Sequence, residues 1–395
     1  MKNKIPFLKI TFVAALALSI FSCKETKKEE NTVSKEEVPM DSTDLALLDL
    51  NLPDGFDIKV YARGVDGARS MAMGDNGTLF VGTRNENTVY AIQDKDGDYN
   101  AETVMVLDTM EVPNGIAIRN GDLYVAQVGS LWKYPNIEGQ LGDSLNKELV
   151  YDDYPTEFHH GWKYIAFGPD DKLYVPVGAP CNICNPTQDE RFATITRMDP
   201  DGTNREIYAK GVRNSVGYTW DDKGEMWFTD NGRDMLGDDI PPCELNHVTE
   251  AGQHFGYPFC HGGTVKDPEF GDQRPCSDFV PPAKALGAHV APLAVKFKSG
   301  NMFPSTYNGK AFIAEHGSWN RSKKVGYRIM LADIENGEVK STETFIDGWL
   351  NDETQKVTGR PVDLLWMKDG SLLISDDYGD AIYRVTYSDT QVASK

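Results

Sequence analysis

DNGTLFVG, residues 75–82, sets a turn of Asp, Asn and Gly in front of an apolar, aromatic run, and the phrase returns five more times along the chain. The later copies read NGDLYVA (120–126), DDKLYVPVG (170–178), DKGEMWFTD (222–230), NGKAFIAE (308–315) and DGSLLISD (369–376). Asn and Gly accept the positive φ of tight hairpin turns, and the β-branched and aromatic residues behind them suit a pleated, packed surface. A repeat at roughly 40 to 60 residues, each unit long enough for several strands, is the signature of a β-propeller. The fold expected is therefore all-β, a six-bladed propeller with long loops over the active-site face. One small twisted sheet cannot bury both of its faces, whereas six packed around an axis can, so an isolated blade should not fold. The gap between the fourth and fifth copies is the longest. Its excess, about 232–300, is rich in Gly, Pro, Cys and His and reads as ordered loops over one face rather than a further domain.

The rest of the composition is consistent with a large core. Hydrophobic residues make up 40% of the 395, helical periodicity is scarce, and the alternation in TLFVGTRNENTVYAI and SLLISDDYGDAIYRV favours hairpins. With 40 basic against 60 acidic residues the formal charge is −20, which repels phosphate backbones and excludes nucleic acid as a partner. The basic start MKNKIPFLK, the apolar run ITFVAALALSIF and Ser22-Cys23 fit a lipoprotein leader over residues 1–22, with Cys23 as the lipidated residue. A charge-dense tether (23–50), a propeller (51–388) and a disordered tail (389–395) would follow. This arrangement predicts a bacterial cell-envelope protein whose only membrane contact is its lipid anchor, facing the periplasm or the surface.

Five further cysteines remain for an oxidising compartment, and the expected pairs are Cys181 with Cys184 and Cys260 with Cys276, leaving Cys243 free. Cys181-Asn-Ile-Cys184 lacks the second CxxC or His pair of a zinc site, and Asn185 stands where a c-type haem motif requires His. Electrons from any redox chemistry must then leave to an external acceptor such as a cytochrome or quinone. GxGxxG after a strand, GxxxxGK[ST], HExxH and GxSxG are all absent. Asp94, Asp96 and Asp98 open like a calcium loop, but the twelfth position is Met105, so a hairpin turn is expected there.

Polar residues at the same end of successive blades must converge on one mouth. EFHHGWKYIAFGPD places His159 and His160 just before a strand, GVRNSVGYTW places Arg213 and Asn214 at the equivalent point of the next blade, and TDNGRDMLGDDIPP adds a loop of carbonyls and carboxylates. His316, Arg321, Arg360 and Asp376 join from the last two blades.

Over about 52–387 the strings HHGWKYIAFGPDDKLYVPVGAPCNIC, RNSVGYTW, WFTDNGRDMLGDDIPP, HFGYPFCHGG, LGAHVAPL, AEHGSWNR and GRPVDLLWMKDGSLLISDD occur in the order of the glucose/sorbosone dehydrogenase family. The chain resembles that family's L-sorbosone dehydrogenase-like and pyranose dehydrogenase branch. The resemblance implies a six-bladed propeller holding pyrroloquinoline quinone and Ca2+ and oxidising a sugar or sugar aldehyde. It makes His160 the base, with Arg213 stabilising charge on the quinone oxygen. It places Asn114, His159, Arg213, Asn214, His316, Arg321, Arg360 and Asp376 at the cofactor, and the loop of Gly232, Arg233 and Asp238 at calcium. Arg233 stands where the soluble glucose dehydrogenases have Pro, and the stretch from His316 to Arg321 replaces a Lys-containing loop, so the resemblance does not carry glucose itself as substrate. A metal-dependent sugar lactonase and a non-catalytic carbohydrate-binding propeller remain as other classes for the same scaffold.

Overall fold

The computed structural model describes residue 44 and residues 47–185 and 189–389. The leader, Cys23, nearly all of the tether and the tail beyond residue 389 lie outside the described residues. Those described form six four-stranded antiparallel sheets and one two-stranded sheet. Blade 1 spans 68–109, blade 2 115–151, blade 3 166–210, blade 4 217–288, blade 5 292–346, and blade 6 361–387. The fourth strand of blade 6 comes from the other end of the sequence, where Phe56–Arg63 pairs antiparallel with Ala381–Tyr387 and closes the ring.

Each of the six repeated phrases is the turn and second strand of its blade: Leu79–Thr83, Asp122–Ala126, Leu173–Val177, Met226–Asp230, Lys310–Glu315 and Leu372–Asp376. A second strand has a hydrogen-bonded neighbour on both edges and a blade packed on both faces, so nearly every side chain in it must be apolar or small. The core is divided between the blades accordingly. Tyr174 and Ile195 of blade 3 pack with Tyr218 and Phe228 of blade 4, and Phe312 and Leu331 of blade 5 with Leu364 and Ile374 of blade 6. No blade has a core of its own, which is the physical basis for expecting the six to fold together.

The long fourth gap lies inside blade 4, between its third strand Pro242–Val248 and its outer strand Lys284–Ala288. It carries a small hairpin, Cys260–His261 with Val265–Lys266, and its own apolar cluster, in which the Phe259 and Phe279 rings stack 5.8 Å apart. Cys260 is bonded to Cys276 there and Cys181 to Cys184 in the loop leaving blade 3, while Cys243 is a buried free thiol. Arg233 reaches into the insertion and pairs with Asp267 (2.6 Å) and Glu269 (3.2 Å), tying it to the loop after the second strand of blade 4. Asp94, Asp96 and Asp98 form the expected turn by accepting hydrogen bonds from backbone N–H groups, and Glu102 adds a fourth carboxylate.

Candidate active site

The loops at one end of the blades enclose a cavity of about 590 Å³. His160 sits on its wall, at the loop entering blade 3. Gly178, at the end of the blade 3 phrase, makes room for it: a Cβ at that position would stand 2.5 Å from the His160 Cβ. His160 itself holds φ +53°, and two other non-glycine wall residues, His289 and Ala291, hold +63° and +52°. A non-glycine residue at positive φ marks a place where the surrounding fold dictates the backbone.

His160 Nδ1 lies 2.9 Å from the carbonyl oxygen of Ala179. Burial, reinforced by the Arg213 charge, holds its pKa well below the usual 6.5, so the ring is neutral at pH 7. A carbonyl can only accept; the neutral ring therefore carries its proton on Nδ1 and keeps the lone pair of Nε2. His159 packs against it with ring centroids 4.1 Å apart and is also kept neutral by burial and Arg213.

Arg213 is fixed from both ends. Its backbone N–H donates to Asp230 Oδ2 at 2.7 Å, and its guanidinium donates to the carbonyls of Asn182 (2.9 Å) and Asn231 (3.0 Å). The N–H of Asn214 donates to Asp230 Oδ1 at 2.6 Å. Burial pushes the Asp230 carboxyl up to about 6, against the backbone donors that favour its charged form. Blade 6 repeats the device: Asp376, also the last residue of its blade phrase, accepts the N–H of Arg360 at 2.9 Å. The Arg360 guanidinium then donates to the carbonyls of His316 (3.2 Å) and Gly317 (3.0 Å). Beside it, His316 Nε2 meets Asp377 Oδ1 at 2.7 Å, and Asp377 Oδ2 accepts from Arg69 at 2.7 Å. Burial outweighs the carboxylate and lowers the His316 pKa to about 4. For Asp377 the balance reverses: burial raises its pKa, but His316 and Arg69 together outweigh that and hold it low.

The structure thus brings His159, His160, Arg213, Asn214, Gly232, His316 and Arg360 to one cavity. Five expected site residues have side chains engaged elsewhere. Asp376 is fully buried and accepts from Arg360 N, Tyr378 N, Gly379 N and the Tyr383 hydroxyl, so it supports Arg360 rather than closing the cavity. Asn114 is buried between Arg69 Nε (2.7 Å) and the carbonyl of Lys163 and aims Arg69 instead of lining the wall. Arg321 donates to the Asp238 carbonyl and to Asp239, and Asp238 accepts the N–H of Ser322 at 3.1 Å, so this pair joins two loops at the rim. The side chain of Arg233 is spent on the insertion, as above. Sequence reading missed Arg69, Arg84, Asp234, His289 and Asp377. A usable signal was present for two of them: Asp377 directly follows its blade phrase, as His316 does, and Arg84 lies two residues past another, where the chain turns toward the mouth.

Two groups can be tested against this cavity. A flat quinone bearing carboxylates needs cations aimed inward and aromatic surface beside them. Arg69, Arg213 and Arg360 are each held by carbonyls or a carboxylate, while Trp162 and Trp319 also line the cavity, Trp319 being 70% exposed. Calcium needs hard oxygen donors. Gly232 lines the wall with no side chain, and a Cβ there would come within 2.9 Å of the Pro242 carbonyl oxygen. Among the described residues the Asp234 carboxylate beside it has only distant partners, Arg213 at 3.7 Å and His289 at 3.6 Å, which leaves carboxylate oxygen available. The residues present fit both groups.

Fold and cavity together define a six-bladed propeller with an arginine-lined cavity at one end of its blades. The profile of the TrAA12-like family matches residues 50–388, and the chain belongs to that family. An uncharacterised protein of Borreliella burgdorferi is 34% identical over 353 residues, covering 86% of this chain and 91% of its own length. The pyrroloquinoline quinone-dependent pyranose dehydrogenase of Coprinopsis cinerea is 23% identical over 403 residues, covering 85% of this chain but only 54% of that enzyme. The holo quinone domain of Coprinopsis cinerea pyranose dehydrogenase superposes with a TM-score of 0.73 at 19% identity, covering 85% of this chain and 97% of the domain. A calcium structure of a Trichoderma reesei carbohydrate-active enzyme of family AA12 gives 0.72 at 21% identity, with coverages of 86% and 97%.

Proposed function

We propose that this protein oxidises a sugar or sugar aldehyde with pyrroloquinoline quinone as the resident cofactor and His160 as the base. The observation that carries the reading is the Ala179 carbonyl on His160 Nδ1, which leaves a neutral Nε2 at a cavity walled by three anchored arginines. Arg69, Arg213 and Arg360 would hold the carboxylates and carbonyl oxygen of the quinone, and Gly232 with Asp234 would supply oxygens to calcium. When bound, the quinone supplies a hydride acceptor and calcium a Lewis acid that polarises it. The residues of the chain do the remainder. His160 Nε2 takes the proton of the substrate hydroxyl as the adjacent C–H bond breaks and C=O forms, which gives a lactone from a hemiacetal and an acid from a hydrated aldehyde. Arg213, immobilised at both ends, requires little reorganisation to stabilise developing negative charge. Trp162, with its ring centroid 5.9 Å from that of His160, narrows the approach.

The reduced site would pass its electrons to a separate cytochrome or quinone. Two disulfides support a location outside the cytoplasm, and a lipid anchor at Cys23 would tie the propeller to the envelope. The test is dye-linked reduction by purified protein over a panel of aldoses, osones and sugar aldehydes, with and without quinone and calcium. Activity requiring both additions supports the reading. Lactone hydrolysis requiring only a metal would replace it with the lactonase reading.

A further inference from the structure

Four guanidinium groups line the main cavity, and three are held in place by hydrogen bonds. Arg84 differs: among the described residues it has neither a hydrogen-bond nor an ion-pair partner, and its guanidinium carbon lies 3.6 Å over the ring of Trp162. In a chain of formal charge −20 such a cation is unusual, since carboxylates are abundant. Burial, with the charge of Arg69 adding to it, lowers the Arg84 pKa to about 10, so the group is still charged at neutral pH.

Arg84 is also the one arginine of the four that borders a second chamber. This chamber, about 300 Å³, shares Arg84, Phe158 and Trp162 with the main cavity and adds Asn85 and Glu111. Phe158 is 59% exposed and offers an apolar face, while Asn85 and Glu111 offer groups for hydroxyls. The indole N–H of Trp162 is buried without an acceptor among the described residues. Two polar groups on one wall are therefore unspent, and both lack an acceptor. The ring of His160 and the guanidinium of Arg84 each lie within 6 Å of the Trp162 ring, at 5.9 and 3.6 Å. A pyranose seated beside the Trp162 ring would turn its reacting hydroxyl toward His160 and its far substituent toward Arg84.

We propose that Arg84 and the chamber beside it recognise a carboxylate on the sugar, so that the preferred substrates are acidic sugars of the uronic-acid class. This rests on the dehydrogenase reading above and names its substrate class. A carboxylate would give the guanidinium the bidentate partner it lacks, and a neutral hydroxymethyl group would not.

The test is a binding ratio, read by calorimetry on the full protein with quinone and calcium added and again without them. Methyl glucuronide should bind at least about 10-fold more tightly than methyl glucoside, as a charge-assisted pair at a part-buried site allows. Arg84→Gln should bring that ratio close to one, and Arg84→Lys, which keeps the charge and loses the fork, should leave an intermediate value. Equal affinities for the two glycosides in the wild type would overturn the proposal. So would an Arg84→Gln protein that loses affinity for quinone while the ratio stands, because Arg84 would then serve the cofactor. A protein that binds no quinone and oxidises no sugar strikes the dehydrogenase reading instead, and the glycoside ratio remains readable in that case.

Discussion

Two walls of the cavity each carry a neutral histidine, buried for His160 and part-buried for His316, and they are built in opposite ways. On the blade 3 wall, His160 directs Nδ1 to a backbone carbonyl and keeps Nε2 unspent. On the wall shared by blades 5 and 6, His316 spends Nε2 on Asp377, which in turn holds Arg69. The first arrangement prepares a proton acceptor, whereas the second locks an arginine and a histidine to one carboxylate. Each neutral ring keeps one unprotonated nitrogen, so what distinguishes the two is the partner that fixes it: a backbone carbonyl for His160 and, for His316, a carboxylate that also holds Arg69.

Replacing His160 by Ala should break the comparison most sharply. Turnover in the quinone-loaded protein should fall by roughly 10²- to 10⁴-fold, the usual worth of a positioned base, with little change in quinone affinity. Asp376→Ala tests a support and should be read in stability: four donors lose a fully buried acceptor, at a cost on the order of 3 kcal/mol in denaturant unfolding. His316→Ala loosens the Asp377–Arg69 lock and should weaken quinone binding by about 10-fold, an effect near 1.4 kcal/mol, with a smaller loss of turnover than His160→Ala. The mildest test is pH. The His160 pKa is depressed, so the base remains unprotonated as pH falls through 6.5, and the acid limb of kcat/KM should lie below that value. An acid limb above 6.5 would indicate a group other than His160.

The fold was legible because one physical demand recurs six times. Every second strand is packed on both faces, so DNGTLFVG and its copies had to look alike. The site was legible where it uses the same register, as with His160, Arg213 and Arg360 at the entrances of their blades. It was misread where adjacent residues diverge. Asp376 and Asp377 are consecutive, but the strand ends at Asp376, which stays in the scaffold, and Asp377 opens the following turn and reaches His316 and Arg69. Composition cannot tell which of two carboxylates faces inward. Arg84 was missed for a related reason: its meaning lies in having no hydrogen-bond or ion-pair partner among the described residues, only the Trp162 ring, and that is visible only once the neighbours are in place.

The most direct test of the account is a single-turnover experiment on wild type and His160→Ala, each loaded with quinone and calcium, mixed with an oxidisable sugar and followed through the quinone absorbance. The account predicts equal loading of the two proteins and a reduction rate at least about 100-fold lower in the variant. Reduction at rates within a few-fold of each other would contradict the assignment of His160, and failure of the wild type to take up quinone would contradict the dehydrogenase reading itself.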